Sequence, residues 1–154
     1  MFVSRYVCPL LVFSVGAFWA QFPETALAEE DLNSLLEKRV ELKKGDRILF
    51  LGDSLTYLAG KEEPKKQVTK GYVRIVKETL RDKHRDKQIE VYWASTGGGT
   101  VYTLHSLLEK SVFPKKPTIV VIQIGCNDAR SKMTSDDFGQ GLEDLIDRLR
   151  EAKI

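Results

Sequence analysis

The chain has 154 residues, enough for one domain of ordinary size. Its 24 basic and 22 acidic residues leave a net charge of +2, too balanced to single out nucleic acid or an acidic surface as partner. With 42% hydrophobic and 30% charged residues it has the composition of a soluble globular protein, and no repeat or low-complexity tract stands out.

The first segment is unlike the rest. Residues 1–6 carry one charge, Arg5, and residues 7–20 (VCPLLVFSVGAFWA) carry none. Pro23 follows, then Ala26-Leu27-Ala28 before Glu29-Glu30-Asp31. A basic start, a short apolar stretch and an A-x-A end are the parts of a secretory signal peptide. Residues 1–28 are therefore read as a leader and the protein as exported, periplasmic or secreted. The apolar stretch falls short of the ~20 residues of a membrane span, an uncleaved anchor being the alternative. Cys8 sits too early, with no small residue before it, for a lipoprotein cysteine. Cleavage after Ala28 would leave Cys126 as the only cysteine, hence no internal disulfide and a fold that depends on its packed core.

Residues 29–44 (EEDLNSLLEKRVELKK) are charged and amphipathic and form an entry segment, after which 45–154 reads as the domain itself. Asp46 to Leu51 is expected to be a strand, closing in Gly52-Asp53-Ser54. Residues 60–70 (GKEEPKKQVTK) are polar, contain Pro64 and make a loop. From Tyr72 to Lys87 the residues Tyr72, Val73, Val76 and Leu80 recur at helical spacing. Ile89 to Ala94 (IEVYWA) is the second strand, breaking at Thr96-Gly97-Gly98-Gly99-Thr100. Val101 to Lys110 reads as helix, and Pro114 and Pro117 punctuate a loop. Thr118 to Ile124 (TIVVIQI) is nearly continuous in apolar character, as a parallel strand buried on both faces would be. It ends in Gly125-Cys126-Asn127-Asp128. Thr134-Ser135-Asp136-Asp137 then opens a final helix, with Phe138, Leu142, Leu145, Ile146 and Leu149 on one stripe.

Three strands, each followed by a helix, imply right-handed crossovers and a parallel sheet covered on both faces. Ligand sites in such folds lie outside the carboxyl ends of the strands. All three polar clusters sit there, so Ser54, Gly98 and Asn127 are expected to converge. Together they suit ester chemistry. A serine hydroxyl attacking a carbonyl needs a base for its proton and donors for the charge that develops on oxygen. Ser54 and Gly98 offer backbone N–H groups, and Asn127 offers a side-chain amide.

GDSL at 52–55, GGGT at 97–100 and GCND at 125–128 resemble, in order and placement, the first three blocks of the SGNH (GDSL-type) esterase and lipase family. The resemblance runs from about Val40 onward. It implies a flavodoxin-like three-layer α/β/α sandwich of which about three of five strands are present. It implies cleavage of acyl or acetyl esters of small molecules, lipids or sugars, with no cofactor. By that likeness Ser54 is the nucleophile and one oxyanion donor, Gly98 and Asn127 are the other donors, and Asp53 and Asp128 brace the turns. Trp93 and Ser95 stand where the family's second block usually has Asn and Gly. The family's last block, an Asp-x-x-His that carries the base, has no counterpart. Only His84 and His105 occur, neither with Asp three residues before it. The chain thus resembles the amino-terminal part of such an enzyme, whether a truncated product or a partial sequence, and is expected to be inactive or weak. The 118–124 strand would then be an open apolar edge, making the protein poorly soluble.

The alternative reading is a non-catalytic remnant or ligand-binding α/β domain in which Ser54 merely caps a helix. A phosphate cradle at Gly97–Gly99 lacks the GxGxxG spacing and a Walker lysine. Cys126 occupies a variable slot with no histidine near it in sequence. Two separated histidines and a cysteine show no metal-ligand spacing. Tyr57, Tyr102 and Trp93 are candidates for an apolar pocket, or for the core.

Overall fold

Alternation along one short strand organises the molecule. The computed structural model describes residues 40–61 and 69–154, so the leader, most of the entry segment and most of the 60–70 loop lie outside the described residues. Arg47–Gly52 forms β1, Glu90–Ser95 forms β2 and Ile119–Gln123 forms β3. The order is β2-β1-β3 with both pairings parallel. In β1, Leu49 and Leu51 face one side and pack with Leu104, Leu108, Leu145 and Leu149. Ile48 and Phe50 face the other side and pack with Ala59, Val73, Leu80 and Val91.

In the first set Leu104 comes from helix α3 (Val101–Leu107) and Leu145 and Leu149 from α5 (Ser135–Glu151); in the second Ala59 comes from α1 (Ser54–Gly60) and Val73 and Leu80 from α2 (Tyr72–Lys83). A fifth helix, α4 (Cys126–Arg130), follows β3. The result is a three-layer α/β/α arrangement around a parallel sheet, as expected. Leu49, Leu51, Leu104, Leu108 and Leu145 are fully buried, each contributing about 1.5–3 kcal/mol of transfer free energy.

Several boundaries differ from the sequence reading. Helix α2 stops at Lys83 rather than Lys87, because nothing apolar beyond Leu80 holds the RDKHRDK stretch on the sheet. His84 breaks the helix at φ −132°, and a 3-10 turn over Arg85–Lys87 ends in a left-handed Gln88. After α3 the chain widens into a π-type turn at Leu108–Val112, which keeps both Leu108 and Val112 buried. The third strand is half-buried rather than enclosed, with Val121 39% exposed, because β1 is its only partner among the described residues. At the amino ends of the strands, Asp46 accepts bonds from the Lys43 N–H (2.6 Å) and the Thr118 hydroxyl (2.9 Å), tying the entry to β1 to that of β3.

Candidate active site

Gly52, the last residue of β1, allows the first turn of α1 to sit close against the sheet. A Cβ there would lie 2.1 Å from Thr56 Oγ1 and 2.6 Å from the Gln123 carbonyl oxygen. The helix that follows is capped by Asp53, whose Oδ1 accepts from the Leu55 N–H at 2.9 Å. Capping therefore does not fall to Ser54. Ser54 is the first helical residue, partly exposed, and no hydrogen bond engages its hydroxyl among the described residues.

Beneath it lies a polar chain that the sequence reading missed. Thr56 is fully buried and donates to Gln123 Oε1 at 3.0 Å, so the Tyr72 hydroxyl, 2.7 Å away, donates to Thr56. Burial holds the Tyr72 phenol above its ordinary range, and the Asp53 charge adds to that, so the phenol keeps its proton. The chain joins α1, β3 and α2 under the site. Its signal in the sequence was Gln123, the one polar residue within an otherwise apolar run.

The other two clusters arrive at the same edge. The Thr96 N–H bonds the Gly52 carbonyl at 3.2 Å, extending the β1–β2 ladder by one rung into the glycine loop. Gly98 has φ +67° and nothing within 4 Å of a would-be Cβ, so its backbone is left-handed in open space. Neither its N–H nor that of Ser54 has a hydrogen-bond acceptor among the described residues. From α4, Asn127 Nδ2 donates to the Gly99 carbonyl at 2.9 Å and to Asp53 Oδ2 at 3.2 Å. One amide thus clasps the ends of β1 and β2. Both of its protons are committed, and the bond to Asp53 is the longer.

Asp128 is 2% exposed, and its Oδ1 accepts from the Val101 N–H at 2.7 Å, joining α4 to the start of α3. Its Oδ2 is buried without a partner among the described residues. Asp53 therefore links two of the three clusters through hydrogen bonds, and Asp128 ties the third to the first residue after the glycine loop. Cys126 is exposed and forms no disulfide among the described residues.

Neither histidine hydrogen-bonds Ser54. His84 sits at the end of α2. His105 Nε2 donates to the Gly141 carbonyl at 3.0 Å, and its ring stacks on Tyr102, so it fastens α3 to α5. Tyr57, Tyr102 and Trp93 are all substantially exposed rather than core. The hollow that Trp93 lines includes neither tyrosine. Among the described residues, no group of three His, Cys, Asp or Glu side chains lies close enough to hold a metal ion, and no helix is long and apolar enough to cross a membrane.

A family model, the GDSL-like lipase/acylhydrolase family, matches residues 50–154. An acetylxylan esterase of Geobacillus stearothermophilus is 32% identical over 94 residues, covering 58% of this chain and 42% of that protein. Among solved structures, Axe2, an acetylxylan esterase from the same organism, is similar with a TM-score of 0.62 at 26% identity, over 73% of this chain and 58% of that one. The acetyl xylan esterase AlAXEase gives 0.59 at 29% identity, over 70% and 54%. The chain spans about half the length of the relatives it matches.

Proposed function

The chain belongs to the GDSL-like lipase and acylhydrolase family, and on that premise we propose that it carries the nucleophile and oxyanion half of a serine ester hydrolase. The observation that carries this reading is the clasp by which Asn127 joins Asp53 and Gly99, gathering three clusters from three strand ends around an unengaged Ser54 hydroxyl. Ser54 Oγ attacks the ester carbonyl carbon, and the carbonyl oxygen takes the electron pair. The Ser54 and Gly98 N–H groups have no competing acceptor and meet that oxygen. Asn127 joins them by exchanging its longer bond, the one to Asp53, for the oxyanion. The C–O bond to the alcohol then breaks, the departing oxygen taking the proton that Ser54 gave up, and water attacks the acyl carbon, freeing the carboxylic acid and returning a proton to Ser54 Oγ. The acetylxylan esterase relatives support an acetylated carbohydrate as the ester. Export, which rests on the sequence of residues 1–28, would bring the protein to such polymers.

A base must take the Ser54 proton, and neither histidine is placed beside that hydroxyl. Loss of a triad member typically costs about 10⁴–10⁶ in kcat, so this chain is expected to hydrolyse esters slowly. The same observation favours a second reading, a non-catalytic domain that binds an ester-bearing ligand at the strand ends. Hydrolysis of p-nitrophenyl acetate by the chain and by Ser54→Ala separates the two. A slow rate that Ser54→Ala reduces to the uncatalysed background is expected. Equal rates for the two proteins would defeat the nucleophile assignment.

A further inference from the structure

Trp93 stands where the family resemblance leads one to expect Asn, and no hydrogen bond of the strand-end site involves its side chain. Its Cα lies opposite that of Phe50 in the β1–β2 ladder, so it projects from the same face as Phe50, the face covered by α1 and α2. Unlike Phe50, which is 5% exposed, Trp93 is 41% exposed, because β2 is the outer strand on that side. Gly60, the last residue of α1, backs the indole. A Cβ at Gly60 would lie 2.3–2.5 Å from Cε2, Cδ2 and Nε1 at once, so the ring rests flat on the helix backbone.

The ring lines a concave space of about 400 Å³ together with Ile89 and the outer side of α2. That volume is within the usual range of small-molecule sites, about 300–1,000 Å³. Along its rim α2 places Arg74, Lys77, Glu78 and Arg81. Glu78 is already held by Lys70 at 2.6 Å and Arg74 at 3.4 Å. Lys77 and Arg81 are exposed, and among the described residues Arg81 hydrogen-bonds Asp82 through its Nε. The hollow therefore offers a flat aromatic surface beside two exposed cationic side chains, Lys77 and Arg81.

We propose that this hollow is an accessory subsite for a carboxylated sugar unit of a carbohydrate chain. The sugar's C–H face stacks on Trp93, and its carboxylate meets Lys77 and Arg81 through charge-assisted hydrogen bonds. Charge complementarity selects an acidic sugar over a neutral one. An anionic membrane would also suit tryptophan and bases, but it calls for a protruding ring, whereas this one lines a depression against Gly60. Gly98 lies five positions beyond Trp93, at most about 17 Å of extended strand, so one oligosaccharide can span both places. Binding here does not require that Ser54 be a nucleophile; only the idea that the ligand is also the substrate rests on that reading.

The test is calorimetric titration of the full chain with tetragalacturonate, with a neutral xylotetraose and with phosphatidylserine vesicles. At least tenfold tighter binding of tetragalacturonate than of xylotetraose is expected, weakening as salt rises. The surface variant Lys77→Ala/Arg81→Ala should lose that preference while keeping its fold by circular dichroism and its rate on p-nitrophenyl acetate. Trp93→Ala should weaken binding of both sugars at least tenfold. Equal affinity for the two sugars, no binding of tetragalacturonate, or an unchanged preference in Lys77→Ala/Arg81→Ala would overturn the proposal. Binding of vesicles without tetragalacturonate would assign the surface to a membrane instead. Should Trp93→Ala fail to fold, the double variant alone decides.

Discussion

Replacing Asp53 by Asn separates two jobs that one carboxylate performs. Asp53 is 1% exposed, with Oδ1 on the Leu55 N–H and Oδ2 on the Asn127 amide. Asn caps helices about as well as Asp, so the bond from Leu55 survives. The second atom, however, becomes an NH₂ group facing the NH₂ of Asn127. Flipping the new amide only moves the conflict, since it then presents its donor to the Leu55 N–H. Losing a hydrogen bond to a charged group and leaving a donor unpaired should cost about 2–4 kcal/mol. Asp53→Ala loses the cap as well, about 1 kcal/mol more. Urea unfolding followed by circular dichroism at neutral pH measures both. In an Asn127→Ala background the extra cost of Asp53→Asn should largely vanish, which a double-mutant cycle reads directly. A wild-type midpoint for Asp53→Asn, or Asp53→Ala no worse than Asp53→Asn, would refute the claim that the carboxylate bridges two strand ends.

Gly52→Ala places a Cβ against a backbone carbonyl and a fully buried threonine, neither of which can yield, so a loss of about 1–3 kcal/mol is expected in the same assay. An unaltered midpoint would mean that α1 does not sit this close to the sheet. Asp46 should make stability depend on acid pH. The bond from the Lys43 N–H, with that from Thr118 and the charges of Lys43 and Lys87, holds its carboxyl below the ordinary aspartate value despite opposing desolvation. With the folded value below the unfolded one, this contribution is present above about pH 4 and is lost as pH falls through the folded value. Denaturant midpoints between pH 5 and pH 2 should fall less steeply for Asp46→Asn than for the parent, and parallel slopes would remove Asp46 from the account.

The layered fold was legible because its signals are periodic. Apolar runs ending in small and polar residues marked three strand ends, and the stripe from Phe138 to Leu149 marked α5. The topology then brings Ser54, Gly98 and Asn127 to one edge although 73 residues separate the first from the last. What escaped were relations fixed by partners rather than by pattern. Nothing local reveals that Asp53 rather than Ser54 caps α1, since both are good capping residues. Tyr72 counted among the apolar stripe, yet its hydroxyl ends the chain through Thr56 to Gln123. Gln123 reads as a mere interruption of a strand until the helix packed on it is known. Trp93 was open to either reading, pocket or core; its exposure follows from β2 lying outermost. That both Asn127 protons are spent is a matter of ångströms, which no spacing encodes.

The Asn127 clasp also carries information about time. It spans 74 residues to Asp53 and 28 to Gly99, and so cannot close until both crossovers have delivered their strands to β1. Contacts between residues this far apart in sequence form only after chain entropy has been surrendered elsewhere. Each helix can form and even dock without the clasp, but the arrangement around Ser54 is completed only when the sheet is. In a refolding experiment, far-ultraviolet ellipticity should therefore recover before any signal that reads the strand ends.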